Sequence, residues 1–218
     1  MSPTDRRASI IEAALPLVRV HGKDVTTRQI AAAAGVAEGT LFRVFDNKDE
    51  IVNAVVESVI DPAPTVQQLT TIDADRPIDA LIADLVATMQ HRLRAVIEIM
   101  MAVRWMPEQL KRSRPQSWDN DPIMVKIIEM LDGHQDELSV VPKQAARLLR
   151  LLVFAGTHPM INAGQALETD EIVSTLMDGI RHHGRPAKAP RSPSARQPSA
   201  RQPSAKSAAG RTPRAKSS

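Results

Sequence analysis

The chain has no cysteine and no tyrosine, and only three phenylalanines and two tryptophans among 218 residues. Without cysteine there is no disulfide framework, no thiolate zinc site and no cysteine nucleophile. Five aromatics are too few for an RNA reader that stacks bases on rows of rings. Long apolar runs are missing as well: Arg150 interrupts Leu148–Leu152 and Glu98 interrupts Ala95–Val103, far below the ~20 residues of a spanning helix. Met1 to Arg7 is polar and leads into an amphipathic stretch rather than the apolar core of a signal peptide. These absences predict a soluble intracellular protein with no membrane partner. No serine stands in a nucleophile-elbow motif and no glycine-rich phosphate loop occurs. The histidines (21, 91, 134, 158, 182 and 183) show no chelating spacing. The expectation is therefore no enzyme, no cofactor and no metal.

What is present is an uneven distribution of charge. The formal net charge of +3 conceals a tail, residues 185–218, with nine Lys or Arg and no acid. Residues 1–184 hold nineteen Lys or Arg against twenty-five Asp or Glu, a net charge of −6. The tail repeats Pro-Ser-Ala-Arg-Gln at 193–197 and 198–202, then approximately at 203–207. It has no large apolar residue, so it cannot offset the entropy of folding and is expected to be disordered.

The rest of the chain has helical periodicity almost throughout. Ile10, Ile11, Ala14, Leu17 and Val18 form one face of a first helix that Ser2 and Pro3 open and Gly22 ends. Pro16 lies inside it and predicts a bend. Short helices follow from Thr26 or Thr27 to Ala34 and from Ala37 to about Phe45. A fourth starts at Asn47, with Glu50 three positions on, and stops before Pro62. Residues 61–76 read as a polar connection. Further helices are predicted over 77–103, 122–137, 142–158 and 170–182, the last capped by Thr169 with Gly184 beyond its end. Residues 104–120 give no clear pattern. No segment alternates with period two. The fold class is all-α with about nine helices, divided as 1–60, 61–184 and the tail 185–218.

Residues 27–46, TRQIAAAAGVAEGTLFRVFD, satisfy the constraints of a helix-turn-helix. Two helices that cross steeply need a small residue where they touch, and Ala31 supplies it. The turn needs a positive φ, and Gly35 stands four residues on. Ile30, Ala34, Val36, Leu41 and Val44 provide an apolar underside. The second helix can then enter a major groove.

The segment from Ile10 to Val56 resembles the DNA-binding domain of TetR-family bacterial transcription regulators. The resemblance rests on IIEAALPLVRVHG and VTTRQIAAAAGVAEGTLFRVFDNKDEIVNAVV, with Gly39-Thr40-Leu41-Phe42, Phe45 and Lys48 as its most specific residues. It covers about fifty residues strongly; beyond Asp61 it rests on length and helix count. It implies a homodimer bound to a palindromic operator on double-stranded DNA, acting as a repressor that a small-molecule effector releases, in the cytoplasm at the nucleoid. Phe42 stands where the family often has Tyr, which removes a hydroxyl contact to phosphate. Val44 stands where a polar or aromatic residue is common, which weakens one groove-facing contact. The competing readings are a nucleoid-associated architectural protein of low specificity assisted by the basic tail, and a helical body that binds a protein partner.

Thr26, Thr27 and Arg28 are expected to meet backbone or base edges, and Ala37, Glu38 and Thr40 to face bases. Glu38 either accepts from a cytosine amine or favours a helix start through the dipole. Gly39, costly in a helix by roughly 1 kcal/mol, signals close approach to DNA or a packing constraint against the first helix. Phe42 and Arg43 are placed at the phosphate backbone. Lys48, in a first helical turn where the dipole disfavours a cation, fits a phosphate beside that helix end.

In the C-terminal half the resemblance implies a ligand cavity within about 77–160. Met89, Leu93, Met100, Met101, Trp105, Trp118, Met124, Phe154 and His158 are its candidate lining, soft and apolar enough for a hydrophobic ligand. Ordinary core packing explains the same methionines. The segments 142–158 and 170–182 are the expected dimer interface, as a four-helix bundle across a two-fold axis.

Overall fold

A computed structural model describes residues 2–104 and 120–181. Among the described residues the secondary structure is helical apart from an isolated antiparallel bridge between Leu138 and Arg181. The helices are α1 (Pro3–His21), α2 (Thr27–Ala33), α3 (Glu38–Leu41), α4 (Lys48–Ile60), α5 (Ala63–Thr70), α6 (Ile78–Ala102), α7 (Pro122–Asp132), α8 (Pro142–Thr157) and α9 (Thr169–Ile180). No described helix is long and apolar enough to cross a membrane. The predicted ends near His182 and Gly184, the tail, and the candidates Trp105 and Trp118 lie outside the described residues.

Local chemistry accounts for the helix boundaries. Ser2 Oγ accepts from the Asp5 N–H and Asp5 accepts from the Ser2 N–H, both at 3.0 Å, a reciprocal cap followed by Pro3. α1 runs through Pro16 to His21 as one continuous helix. Thr26 and Gln29 cap α2 in the same reciprocal way. Asn47 Oδ1 accepts from the Glu50 N–H at 2.9 Å, but the Glu50 carboxylate returns to the Asp46 N–H at 2.6 Å, one residue before the position a capping box uses.

Several boundaries differ from the sequence reading. The helix predicted over 122–137 ends at Asp132, and Gln135–Glu137 form a separate 3-10 turn. α3 closes at Leu41 rather than Phe45, because the chain tightens there: Arg43 donates to the Thr40 carbonyl and Val44 to that of Leu41. The supposed polar connection 61–76 contains α5. Pro62 and Pro64 fall at its start, where a missing N–H costs nothing, and Leu69 is fully buried. α9 is capped by Glu168, reciprocally with Glu171, and Thr169 is its first helical residue.

The buried apolar side chains form two clusters. One is built from α1 to α4 around Ile10, Ala14, Val18, Ile30, Leu41, Phe45, Ile51 and Val55. The other is built from α5 to α9 around Leu69, Leu81, Leu85, Ile127, Leu149, Ile172 and Leu176. α6 serves both. Its first half, from Ile78 to Val86, packs in the second cluster, while Ile99 and Val103 at its far end are buried in the first. The division at 60/61 is therefore not clean, since the end of α6 completes the core of the N-terminal helices.

Candidate nucleic-acid interface

α2 and α3 are joined by a turn at Gly35, whose φ is +65° with open space around its Cβ position. The Gly35 N–H donates to the Ala32 carbonyl at 3.3 Å and the Val36 N–H to that of Ala31 at 3.0 Å, which closes the turn. Ala31 is buried, as a close helix crossing requires, and Ile30 and Leu41 are fully buried beneath it. Ala34, Val36 and Val44 are half-buried against the same cluster. Val44 thus belongs to the underside rather than to the outward surface.

The opposite surface carries the sequence candidates. Thr26, Arg28, Ala37, Glu38, Gly39, Phe42 and Arg43 are exposed; Thr27, Thr40 and Lys48 are half-buried. Thr26 spends its hydroxyl on the α2 cap, donating to Gln29 Oε1 at 2.9 Å. The Thr27 hydroxyl donates to the Glu38 carboxylate and so ties α2 to α3. Arg28 and Arg43 make no ion pair or hydrogen bond among the described residues. Phe42 is 51% exposed among the described residues.

Gly39 has nothing within 4 Å of the position a Cβ would take, and its φ is not in the left-handed region. Among the described residues, neither packing nor backbone conformation requires a glycine there. This removes the packing explanation, since nothing in the described structure approaches that position closely.

Lys48 is more committed than the sequence implies. Its Nζ donates to the Lys23 carbonyl at 2.7 Å, which fastens the start of α4 to the turn after α1. An ammonium has three donors, so two remain available for an anion. Arg7 is not legible in the sequence as part of this region. Its guanidinium lies 4.5 Å from the Phe45 ring centroid and 3.4 Å from the Glu50 carboxylate, and Glu50 in turn holds the Asp46 N–H. A long-range cation–π contact leaves no trace in local spacing.

The candidate ligand residues are dispersed. Met89 and Leu93 are half-buried against the second cluster and Met124 is buried within it. Met100 packs against the first cluster, and Met101 is 65% exposed, because by positions 100 and 101 α6 has left the second core. Phe154 is 43% exposed, its ring 5.1 Å from that of His158. Arg92 caps α4: it donates to the Ile60 carbonyl at 2.5 Å, the Asp61 carbonyl at 2.9 Å and Thr65 Oγ at 3.2 Å.

Two surface concavities lie along α9. An open groove of about 910 Å³ runs beside α9, with Asp79, Glu168, Asp170 and Arg181 on its walls. A smaller one of about 360 Å³ lies between α8 and α9, lined by Leu148, Leu151, Leu152, Leu176 and Ile180. No group of His, Asp and Glu among the described residues is arranged to hold a metal ion.

Comparison with known proteins identifies the N-terminal helices. The profile of bacterial regulatory proteins of the tetR family matches residues 10–55. The chain is 31% identical over 93 residues to YvkB of Bacillus subtilis strain 168, an uncharacterized HTH-type transcriptional regulator; the match covers 42% of this chain and 48% of the relative, about half its length. The fold is similar to that of SmeT, the repressor of the Stenotrophomonas maltophilia multidrug efflux pump SmeDEF, at 25% identity and a TM-score of 0.52, covering 84% of this chain and 95% of SmeT. A TetR-family structure from Mesorhizobium loti MAFF303099 has the same fold at 14% identity and a TM-score of 0.60, covering 84% of this chain and all of the other. The profile falls on the helices that carry Gly35, Gly39 and Lys48, so residues 10–55 form a helix-turn-helix domain of the kind found in bacterial regulatory proteins of the tetR family.

Proposed function

We propose that this protein is a sequence-specific repressor that binds a palindromic DNA operator as a homodimer and leaves it when a small apolar ligand binds. The observation that carries the reading is Gly39. It is an exposed glycine that no packing among the described residues requires, on a helix-turn-helix whose exposed Arg28 and Arg43 have no partner among the described residues. Backbone approach to DNA explains the missing side chain, and phosphates explain the arginines. In this reading Thr26, Thr27, Arg28, Ala37, Glu38, Gly39, Thr40, Phe42, Arg43 and Lys48 form the DNA surface. Residues 1–60 are the DNA-binding unit, and 61–184 serve ligand binding and dimerisation. That the structurally similar SmeT is a repressor supports repression here.

The apolar groove between α8 and α9, with Leu151 48% exposed on its rim, supports dimerisation through 142–158 and 170–182. The ligand is proposed to meet Met89, Leu93 and Met124, with Trp105 and Trp118 as optical reporters. An architectural, low-specificity role is the second reading, favoured by the tail's nine positive charges. Selection of genomic fragments by the purified full chain at about 150 mM salt, where screening suppresses purely electrostatic binding, separates the two. Recovery of one or a few palindromic sites is expected. Diffuse recovery that vanishes without residues 185–218 rejects the repressor reading in favour of the architectural one.

A further inference from the structure

Glu38 is an exposed carboxylate in the middle of a surface otherwise suited to phosphate. Among the described residues its partner is the Thr27 hydroxyl, which donates to Oε1 and leaves Oε2 without one. It forms no ion pair with Arg28 or Arg43, so its charge is not neutralised by the described residues. Its neighbours Ala37 and Gly39 contribute a methyl group and a hydrogen, so Glu38 is the one long side chain at positions 37–39.

A carboxylate only accepts hydrogen bonds and is repelled by phosphate. On a DNA face its useful partners are the exocyclic amines in the major groove, those of cytosine and adenine. The adenine amine is flanked by acceptors on both sides, its own N7 and the thymine O4. The cytosine amine has an acceptor on one side only, the guanine O6. A second carboxylate oxygen therefore meets less repulsion at cytosine.

Resting on the DNA-binding reading above, we propose that Glu38 is a specificity determinant that selects cytosine in each operator half-site, with Thr27 as the residue that positions it. Thr27 fixes one carboxylate oxygen, so the other is presented in one orientation instead of sweeping the groove.

The test is selection from random duplex DNA by the full chain and its variants, with melting curves run on each. The wild type is expected to enrich sites with a fixed cytosine in each half. Glu38→Ala loses the preference at that position alone and binds the wild-type site about 5- to 150-fold more weakly. Glu38→Gln keeps the fold and shifts the preference toward adenine, which a carboxamide can bind through N6 and N7. Thr27→Val blurs the cytosine preference and Thr27→Ser restores it, which a purely structural tie between α2 and α3 would not do. An unchanged sequence preference in folded Glu38→Ala overturns the proposal, as does a uniform gain of affinity for all DNA, the mark of mere phosphate repulsion. Should the wild type enrich no sequence at all, the underlying DNA-binding reading falls as well, an outcome distinct from either.

Discussion

At Gly22 the backbone turns with φ at +55°, and a Cβ would lie 2.0 Å from the Ala102 carbonyl oxygen at the end of α6. Both the dihedral and the clash are with backbone, so no rotamer relieves them. Gly22→Ala is expected to destabilise the protein by about 2–4 kcal/mol, measured by denaturant unfolding. His134 makes the other exacting contact at this scale. It is buried, with Nε2 2.8 Å from the Ala74 carbonyl and Nδ1 2.9 Å from the Glu137 carboxylate. Both partners are acceptors, so the doubly protonated ring satisfies both contacts at once. The bond to Glu137 holds the imidazole above its ordinary pKa, against burial and with help from the Ala74 carbonyl and the charges of Glu137 and Asp75. A raised folded-state pKa means the contribution is complete below the ordinary histidine value of about 6.5 and is lost as pH rises through the folded value. Relative to His134→Gln, the wild type should therefore have its largest melting-temperature advantage in mild acid, before general acid denaturation, and lose that advantage in mild alkali. A constant advantage across that range would contradict the assignment.

The joints between elements rest on side chains far apart in sequence. Arg92, on α6, satisfies the last carbonyls of α4 and the Thr65 hydroxyl of α5. Burial lowers its pKa, offset by the charges of Asp121 and Asp61. Replacing it with Met preserves the apolar stem and removes the donors. Arg92→Met should cost about 1–3 kcal/mol and raise amide exchange at the α4–α5 junction, which hydrogen-exchange mass spectrometry reads. Such a joint is not legible in sequence, because helical periodicity gives a residue's face and not the distant carbonyl it reaches. The helix-turn-helix is legible almost residue by residue: a small residue, a left-handed glycine and an apolar underside are all local requirements. α5 escapes a sequence reading because two prolines and several polar residues hide a helix that buries few side chains, Thr65 and Leu69. The placement of Met100 and Met101 escapes it because period alone cannot tell which of two cores a long helix is in.

On the scale of the whole molecule, α6 joins the two clusters, with Leu85 in one and Ile99 in the other. The proposed dimer would place two helix-turn-helix surfaces on one operator, as a palindrome requires. The tail's nine positive charges lie outside that stereospecific set. Deleting residues 185–218 is expected to flatten the salt dependence of operator binding, by about 0.9 in log–log slope for each phosphate that the tail neutralises, and to leave base preference unchanged. An unchanged slope would exclude binding of the tail to DNA.

The central claim is that the outer surface of α2 and α3 meets DNA, and Gly39→Leu tests it most directly. A Cβ there meets nothing within 4 Å, and leucine is a better helix former than glycine. The variant should melt no lower than the wild type yet bind the selected operator at least about 100-fold more weakly, measured by fluorescence anisotropy with the full chain. A folded Gly39→Leu protein with wild-type operator affinity would contradict the account.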